Sequence, residues 1–290
     1  MNTPSHRPLI GITAGDPKGI GPEIVGKILK SDLASKAQFK IFGPLDLDPQ
    51  KLGDLEAAQI TLQSLHEALQ AAREKKIDAL VTAPVNKLRL RQVDPSFTGH
   101  TEFFGNACSV KPTMLFVVPE KNFRVALVTR HMPLAQVAHQ LNAVEILHTI
   151  RQLHAGLQQG FGLAQPAIAV TGLNPHAGEG GMLGEEEHRI IAPAIAMARK
   201  EGLAVEGPFP ADTIFWEMRQ GRFDAVVAMY HDQGLVAVKT LAFNEAVQVT
   251  LGLPFLRLSV DHGTAENIVG KNKADTSNLK AAILLACQMI

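Results

Sequence analysis

Ala228-Met-Tyr-His-Asp-Gln-Gly-Leu-Val-Ala-Val-Lys239 overlaps the end of an apolar run, Phe223–Met229, that is broken only by Asp224. The run predicts a buried strand that delivers a His-Asp pair at its end, followed by a glycine-containing turn and a lysine. In open α/β sheets, ligands gather at the carboxyl ends of the strands. A histidine, a carboxylate and a cation placed there favour a metal or proton site beside an anion site. An ordinary polar surface turn is the alternative.

Strand-like runs alternate with helical patterns along the rest of the chain. Leu9–Thr13 precedes a Gly/Pro turn and the predicted helix Pro22–Lys30, and Ala79–Thr82 and Ala167–Val170 are further predicted strands. Such alternation predicts α/β layers with a mostly parallel sheet. No internal repeat or flexible linker is visible, so two lobes, if present, are expected to be joined by chain crossings.

Composition and charge exclude several classes of protein. The 290 residues carry 28 basic and 28 acidic side chains, without the basic run that nucleic-acid binding requires. No apolar stretch reaches the roughly 18 residues of a membrane helix. Cys108 and Cys287 lack CxxC spacing, which argues against a disulfide framework or a cysteine zinc site. We therefore expect a soluble, cytoplasmic protein with reduced thiols.

Three histidines follow predicted strands. They are His131, His176 and His231. Three imidazoles with an open fourth position form a known catalytic metal arrangement. Long separations in sequence are compatible with such a site, but three strand-end histidines among 11 could also arise by chance.

Candidates for anion binding lie outside these strand ends. His100 and Thr101 follow a glycine, and such a pair can hydrogen-bond a phosphate or simply form a polar surface pair. Arg257 lies among apolar residues, where a phosphate or an internal salt bridge would satisfy it. The glycine-rich turn Thr13–Glu23 matches neither GxGxxG nor GxxxxGK[ST].

Six longer motifs carry a family resemblance. They are Gly15-Asp-Pro-Lys-Gly-Ile-Gly-Pro-Glu23, Thr98-Gly-His-Thr-Glu-Phe-Phe104, Gly172-Leu-Asn-Pro-His-Ala-Gly-Glu-Gly-Gly181, Gly207-Pro-Phe-Pro-Ala-Asp-Thr213, Tyr230-His-Asp-Gln-Gly234 and Ser259-Val-Asp-His-Gly-Thr-Ala265. Together they resemble the 4-hydroxythreonine-4-phosphate dehydrogenase family of vitamin B6 biosynthesis over nearly the whole chain.

The resemblance implies a fold similar to isocitrate and isopropylmalate dehydrogenases, with two α/β/α lobes around a cleft and mostly parallel sheets. The first lobe would comprise residues 1–100 plus 262–290 and carry a nucleotide-side loop. The second would comprise residues 101–261 and carry the metal ligands and the dimer interface. The family places its active site in a cleft at a homodimer interface, with both subunits contributing.

The resemblance also implies roles for individual residues. The metal ligands would be His131, His176 and His231, and the catalytic residues His231, Asp232 and Lys239. The substrate would be bound by His100, Thr101, Lys239, Gln248 and Arg257. The cofactor would be bound by His262, Gly263, Thr264, Ala265 and Gly270, within the loop 261–275.

The activity implied is a metal- and NAD(P)-dependent oxidation of 4-phosphooxy-L-threonine. The resulting 3-keto acid decarboxylates to 3-amino-2-oxopropyl phosphate, in pyridoxine 5'-phosphate biosynthesis. The cofactors would be NAD or NADP and a divalent metal ion, which is zinc, magnesium or cobalt. The partners would be this small phosphorylated substrate and a second copy of the chain, with no nucleic acid and no membrane.

Two departures from the family pattern keep alternatives open. Gln248 stands where the family has asparagine, and Gly180-Gly-Met-Leu-Gly-Glu185 replaces the usual Gly-Gly-His-Met-Gly-Thr. Gln248 leaves room for a paralogous dehydrogenase acting on 4-phosphoerythronate or 4-phosphothreonate. A phosphate acyltransferase-like enzyme of the same fold and a catalytically inactive metabolite-binding protein are the remaining alternatives.

Overall fold

The computed structural model describes residues 7–290 and contains alternating strands and helices. The strands are β1 (Leu9–Thr13), β2 (Gln38–Phe42), β3 (Ala79–Thr82), β4 (Thr113–Val118), β5 (Phe123–Leu127), β6 (Ile168–Thr171), β7 (Val205–Phe209), β8 (Ala225–Ala228), β9 (Val247–Leu251) and β10 (Leu256–Val260). The helices are α1 (Gly21–Leu29), α2 (Asp54–Arg73), α3 (Lys87–Leu90), α4 (His100–Ala107), α5 (Leu134–Gln140), α6 (Ala143–Phe161), α7 (Ala192–Lys200), α8 (Ala211–Arg219), α9 (His231–Leu241) and α10 (Ser277–Met289).

The chain forms two compact units. Within residues 7–290, the first unit contains residues 7–112 together with Val247–Ile290, and the second unit contains Thr113–Ala246. Across residues 7–290, none of the helices combines the length and the hydropathy that crossing a bilayer takes.

The first unit is built on strands in the order β2-β1-β3-β10-β9. All pairs are parallel except β10 with β9. Helix α2 packs on β1, β2 and β3, and α10 packs on β10, β9 and β3. One apolar cluster joins Leu65 and Leu69 of α2 to Leu80 of β3 and Phe104 of α4. The N-terminus of α4, where His100 and Thr101 lie, is therefore anchored to the core of this unit.

The second unit is built on strands in the order β4-β5-β8-β6-β7. Only β4 and β5 are antiparallel, as expected for a strand pair joined by a short connection. Each residue of β8 is buried. Its Ala-Val-Val-Ala run is typical of a strand that is covered on both faces. Helix α6 begins at the cap Asn142, whose side chain accepts from the Glu145 amide, and ends at the left-handed Gly162.

The predicted α/β class with mostly parallel sheets is confirmed by this strand pairing. The unit boundaries differ from the predicted lobes, which assigned β9 and β10 to the second lobe. The reason is that β10 pairs with β3 in register from Leu256↔Ala79 to Ser259↔Thr82. The glycine-containing turn predicted after the His-Asp pair is also wrong, because helix α9 begins at His231 itself and Gly234 lies within it.

Two glycines of α1 have opposite packing environments. A Cβ on Gly21 would lie 2.1 Å from the Ala14 carbonyl oxygen, so the backbone of the glycine-rich turn leaves no room for a side chain. A Cβ on Gly26 would meet nothing within 4 Å. The two positions share one helix and thus form a matched pair.

We expect Gly21→Ala to lower the free energy of unfolding by about 1–3 kcal/mol, because it overpacks backbone that cannot move freely. Gly26→Ala should raise it by about 0.5–1 kcal/mol, since alanine has the higher helix propensity. Urea denaturation followed by circular dichroism measures both. Equal effects of the two substitutions would contradict the close approach at Gly21.

Candidate functional site

Two of the predicted metal ligands lie side by side in the second unit. The ring centres of His131 and His231 are 5.5 Å apart. His131 follows β5 and is exposed, whereas His231 is the first residue of α9. This separation suits two imidazoles on one metal ion, since each metal–nitrogen bond is about 2.0–2.1 Å long. The pair therefore fits the predicted metal, and Asp232 adds to that fit.

Asp232 holds the ring of His231. Its Oδ1 lies 2.7 Å from His231 Nδ1. Metal-binding histidines commonly use their second ring nitrogen in this way, because the carboxylate fixes the tautomer and the ring orientation. The contact leaves Nε2 of His231 as the nitrogen for a metal.

The third predicted ligand, His176, is not part of this pair. It lies on the loop after β6, in a left-handed conformation with φ 53°, and it is exposed. No group of three or more His, Cys, Asp or Glu side chains within residues 7–290 is arranged to hold a metal ion. The three-histidine site therefore stays a prediction.

Gln233 connects two strand ends, and the sequence pattern did not single it out as a functional residue. Its Oε1 accepts from Thr171 Oγ1 at 2.8 Å and from the Met229 amide at 2.7 Å, and its Nε2 donates to the Gly172 carbonyl at 2.8 Å. One amide side chain thus joins the end of β6 to the end of β8, directly beside His231. Its place in the motif Tyr230–Gly234 was the only available signal.

Arg257 is the central cation of the first unit. It is 1% exposed, and it donates to Gln248 Oε1 at 2.7 Å, to Thr250 Oγ1 at 2.8 Å and to Thr82 Oγ1. All of these acceptors are neutral, and the buried Nε has no hydrogen-bond partner in the part of the chain that is described. Burial lowers the pKa of Arg257 to about 9, against the opposing charge of Glu102, so it remains a cation at neutral pH. The alternative considered for Arg257 was an internal salt bridge. Within residues 7–290 Arg257 donates no hydrogen bond to a carboxylate, and Glu102 acts on it through its charge.

His100 lies close to this cation at the N-terminus of α4. Its ring stacks on Phe104 with centres 6.4 Å apart, and the Arg257 guanidinium lies 5.6 Å from the same Phe104 ring. Burial, together with the positive charges of Arg257 and Lys87, holds the pKa of His100 well below its ordinary value. The buried Nε2 of this neutral imidazole has no hydrogen-bond partner among residues 7–290. Thr101, the next residue, is buried.

These contacts place the predicted substrate residues in two groups. His100, Thr101, Gln248 and Arg257 belong to the first unit, where Gln248 is 6% exposed and hydrogen-bonded to Arg257. Lys239 belongs to the second unit, on α9, with its Nζ 5.5 Å from the Phe243 ring centre. Helix N-terminal amides, a neutral imidazole and a buried guanidinium are donors suited to an anion. The sequence missed Thr82 and Thr250, because strand hydroxyls have no distinguishing spacing.

The predicted cofactor loop lies against the glycine-rich turn. The Ile20 amide donates to the Thr264 carbonyl at 2.9 Å, and Ala265 and Gly270 both have positive φ. His262 Nδ1 lies 3.0 Å from the Gly263 carbonyl, while its buried Nε2 has no hydrogen-bond partner in residues 7–290. A cavity of about 260 Å³ is lined by Gly19, Leu45, Leu47, Gly270 and other residues. Of the five predicted cofactor residues, Gly270 alone lines it.

An ion cluster around the buried Arg89 ties the loop to the turn. Arg89 is 6% exposed, forms an ion pair with buried Asp16 of the turn, and contacts Glu266 of the loop at 3.1 Å and Asp54 at 3.1 Å. Although burial opposes it, the hydrogen bonds that Arg89 donates to Glu266 and Asp16 hold the pKa of Arg89 above its ordinary value. Arg89 therefore stays charged and ties the loop to the turn. Its sequence context, an ordinary short helix, gave no signal.

Comparison with known proteins adds independent information. A relative from Desulforapulum autotrophicum, named 4-hydroxythreonine-4-phosphate dehydrogenase, is 39% identical over 97% of this chain and 95% of its own. A relative from Symbiobacterium thermophilum, named putative D-threonate 4-phosphate dehydrogenase, is also 39% identical, over 96% of this chain and 95% of its own. The crystal structure of the Klebsiella pneumoniae 4-hydroxythreonine-4-phosphate dehydrogenase superposes with a TM-score of 0.87 at 33% identity, covering 97% of this chain and 99% of that one.

More distant structures share the fold alone. A β-decarboxylating dehydrogenase from Thermococcus kodakarensis has a TM-score of 0.54 at 14% identity, covering 96% of this chain and 81% of its own. A branched-chain phosphotransacylase from Enterococcus faecalis has a TM-score of 0.60 at 13% identity, covering 97% and 99%. The predicted likeness to the isocitrate and isopropylmalate dehydrogenase fold is thereby confirmed.

A sequence model of a whole protein family gives the clearest evidence of family membership. The model described as pyridoxal phosphate biosynthetic protein PdxA matches residues 27–286. That range includes every predicted metal, substrate and cofactor residue. The chain is therefore a member of the PdxA family of dehydrogenases.

Proposed function

We propose that this chain is a 4-hydroxythreonine-4-phosphate dehydrogenase that uses NAD or NADP and a divalent metal ion. It would oxidise the secondary hydroxyl of 4-phosphooxy-L-threonine and pass the hydride to the nicotinamide. The 3-keto acid would then lose CO2 and leave 3-amino-2-oxopropyl phosphate. The observation that carries the proposal is the buried Arg257, whose hydrogen-bond partners within residues 7–290 are all neutral, beside the Nε2 of His100, which has no hydrogen-bond partner in the same range.

These two side chains support a phosphate-binding role. A buried cation that forms no hydrogen bond to a carboxylate gains most from an anionic ligand, because the low local dielectric strengthens the attraction. Neutral His100 would donate from Nε2 to a phosphate oxygen. The amides at the N-terminus of α4 and the dipole of this helix would also favour an anion there. Thr101 and Lys239 are the remaining residues proposed to bind the substrate.

The residues of the second unit would carry the oxidation. His131 and His231, together with His176, would hold the divalent metal, and Asp232 would orient the His231 ring. A bound Zn, Mg or Co ion supplies Lewis-acid polarisation of the substrate oxygen. Asp232 and Lys239 are the side chains proposed to take up the hydroxyl proton.

The proposed cofactor site is the loop that contains His262, Gly263, Thr264, Ala265 and Gly270. It is supported by the positive φ of Ala265 and Gly270 and by the anchoring of the loop on the glycine-rich turn. Backbone held in such conformations can approach a nucleotide closely. The loop replaces the GxGxxG fingerprint that the chain lacks.

A paralogous dehydrogenase remains the second candidate. The Symbiobacterium thermophilum relative carries the name of a D-threonate 4-phosphate dehydrogenase at the same 39% identity. Gln248 is the residue of this chain that favours it, since it departs from the asparagine of the family. The acyltransferase alternative rests on a structure with 13% identity, which supports the fold alone.

We expect purified protein to reduce NAD or NADP when given 4-phosphooxy-L-threonine, with release of CO2, and to lose this activity in the presence of a chelator. The reason is that a chelator would remove the ion that His131, His176 and His231 are proposed to hold, and with it the Lewis-acid chemistry that this ion would supply. Absorbance of the reduced nicotinamide follows the reaction, with 4-phosphoerythronate and 4-phosphothreonate assayed in parallel. Faster turnover of either of these would assign the chain to the paralogous activity instead, and full activity with chelator would remove the metal from the mechanism.

Arg257→Met keeps the volume of the side chain but removes its charge. We expect the KM for the phosphorylated substrate to rise about 100-fold, since a buried charge-assisted hydrogen bond contributes roughly 2–3 kcal/mol. Thr250→Val is the matched control: it removes one neutral partner of Arg257, and its KM should rise less than about 10-fold. An Arg257→Met enzyme with the KM of the wild type would exclude Arg257 from phosphate binding.

We further propose a homodimer whose active sites draw on both subunits. It is supported by the family resemblance and by the position of His176, which lies outside the His131–His231 pair of a single chain. In closed two-fold dimers, the same surface of each subunit supplies the complementary part of the site.

Mixing two inactive variants tests this arrangement. If His131 and His176 of one site come from different subunits, then reassociated His131→Ala and His176→Ala proteins should recover about a quarter of wild-type activity, since half of the dimers are mixed and half of their sites are intact. Light scattering confirms the dimer, and each variant alone serves as the control. Absence of recovery in proven mixed dimers would place both histidines of a site in one subunit.

A further inference from the structure

The loop that carries His176 has an unusual backbone. Five consecutive residues, 176–180, have φ values of 53°, 52°, 80°, 43° and 67°. Three of them, His176, Ala177 and Glu179, have side chains, for which the left-handed region is unfavourable. Such a run persists only where the surrounding structure dictates it. The residues that dictate it are therefore of interest for the position of His176.

Glu187 makes the contacts that hold the start of this loop. Its carboxylate is buried, at 5% exposure of the residue, and Oε1 accepts from the Leu173 amide at 2.7 Å and from the Asn174 amide at 2.7 Å. Oε2 accepts from Asn174 Nδ2 at 3.1 Å. Both oxygens are thus used, and all three donors come from the two residues that precede Pro175.

The loop is also moulded closely around the Glu187 carboxylate. A Cβ on Gly178 would lie 2.6 Å from Glu187 Oε2, and a Cβ on Gly172 would lie 3.0 Å from Oε1. Only glycine can occupy these positions while the carboxylate stays in place. The other flank is held by Gln233, which bonds Thr171 and Gly172. Residues 171–174 are therefore held by Gln233 on one flank and by Glu187 on the other, where Glu186 Oε2 also accepts from Asn174 Nδ2 at 2.8 Å.

We infer that Glu187 is a positioning residue, whose buried carboxylate sets the conformation of the 172–181 loop and thereby the place of His176. The inference rests on the proposed function where it concerns metal binding by His176. The carboxylate is required because a glutamine in the same place presents one acceptor and one donor, and the donor would face Asn174 Nδ2. Glu185, by contrast, is exposed and pairs with Arg189 at 3.1 Å, away from this loop.

The test compares Glu187→Gln with the control Glu185→Gln in the full-length protein. Hydrogen–deuterium exchange of peptides covering residues 172–184 should be at least about 10-fold faster in Glu187→Gln, while exchange of peptides from β8 should be unchanged. The reason is that the loop can then open without breaking the hydrogen bonds that Leu173 and Asn174 donate to Glu187. Titration with Co(II), followed by its visible absorption, should give a Kd about 10–100-fold weaker, as expected for a group that orients a metal ligand. Loop exchange equal to that of the wild type would overturn the inference.

Gly178→Ala provides a second route to the same contact, should Glu187→Gln fail to fold. It places a methyl group against Glu187 Oε2, whereas Gly180→Ala introduces the same left-handed alanine with nothing within 4 Å. We expect faster loop exchange and weaker Co(II) binding for Gly178→Ala than for Gly180→Ala. Equal behaviour of these two variants would show that Glu187 does not shape the loop.

His176→Ala separates this inference from the proposed function. If Co(II) affinity is unchanged in His176→Ala, then His176 is not a metal ligand, and the proposed function fails on that point while loop exchange still decides the role of Glu187. If His176→Ala abolishes Co(II) binding but Glu187→Gln leaves both exchange and affinity unchanged, then the positioning role alone is wrong.

Discussion

The parallel course of β5, β6 and β8 is the constraint on which the site of the second unit depends. Their registers pair Leu127 with Ala228 and Val170 with Val227, so the strands end nearly level at one edge. Each of the three histidines lies within five residues of such a strand end. Side chains distant in sequence are thus delivered to one edge by hydrogen bonding of the backbone alone. For His131 and His231 this suffices, whereas His176 depends in addition on the loop around Glu187.

A different constraint, the cost of burying charge, governs the first unit. Arg257 is removed from water and is surrounded by hydroxyl and amide oxygens rather than by a hydrogen-bonded carboxylate. Its charge in turn helps to keep His100 neutral. A neutral donor beside a buried cation without a hydrogen-bonded carboxylate would suit the proposed phosphate, because no second cation has to be desolvated. Arg89 illustrates the opposite solution, because its three acidic partners compensate it internally and leave it no capacity for a ligand.

The sequence was sufficient for features that depend on periodicity and local chemistry. Apolar runs predicted β3 at Ala79–Thr82 without error, and the motif Thr98–Phe104 identified His100, which lies close to Arg257. The sequence was insufficient for hydrogen bonds between residues that are far apart in the chain. Thr82 and Arg257 are 175 residues apart, and no pattern links them. The start of α9 at His231 was missed because the His-Asp-Gln-Gly sequence resembles a turn, while packing of Leu235 and Val238 in the core favours the helix. Glu187 was missed for a related reason, since one glutamate among three consecutive ones carries no mark of burial.

Gln248 shows how a change of one methylene group can act at a distance from the ligand. Its Oε1 accepts from Arg257 and its Nε2 donates to Thr250 at 3.1 Å, so its amide is already bonded within the unit. An asparagine at this position would carry its amide about 1.5 Å nearer to the backbone of β9, because it is shorter by one carbon–carbon bond. The same contact with Arg257 would then require the guanidinium or the strand to shift. Under the proposed function, Gln248 would influence the choice of substrate through the position of Arg257, to which its side chain is hydrogen-bonded.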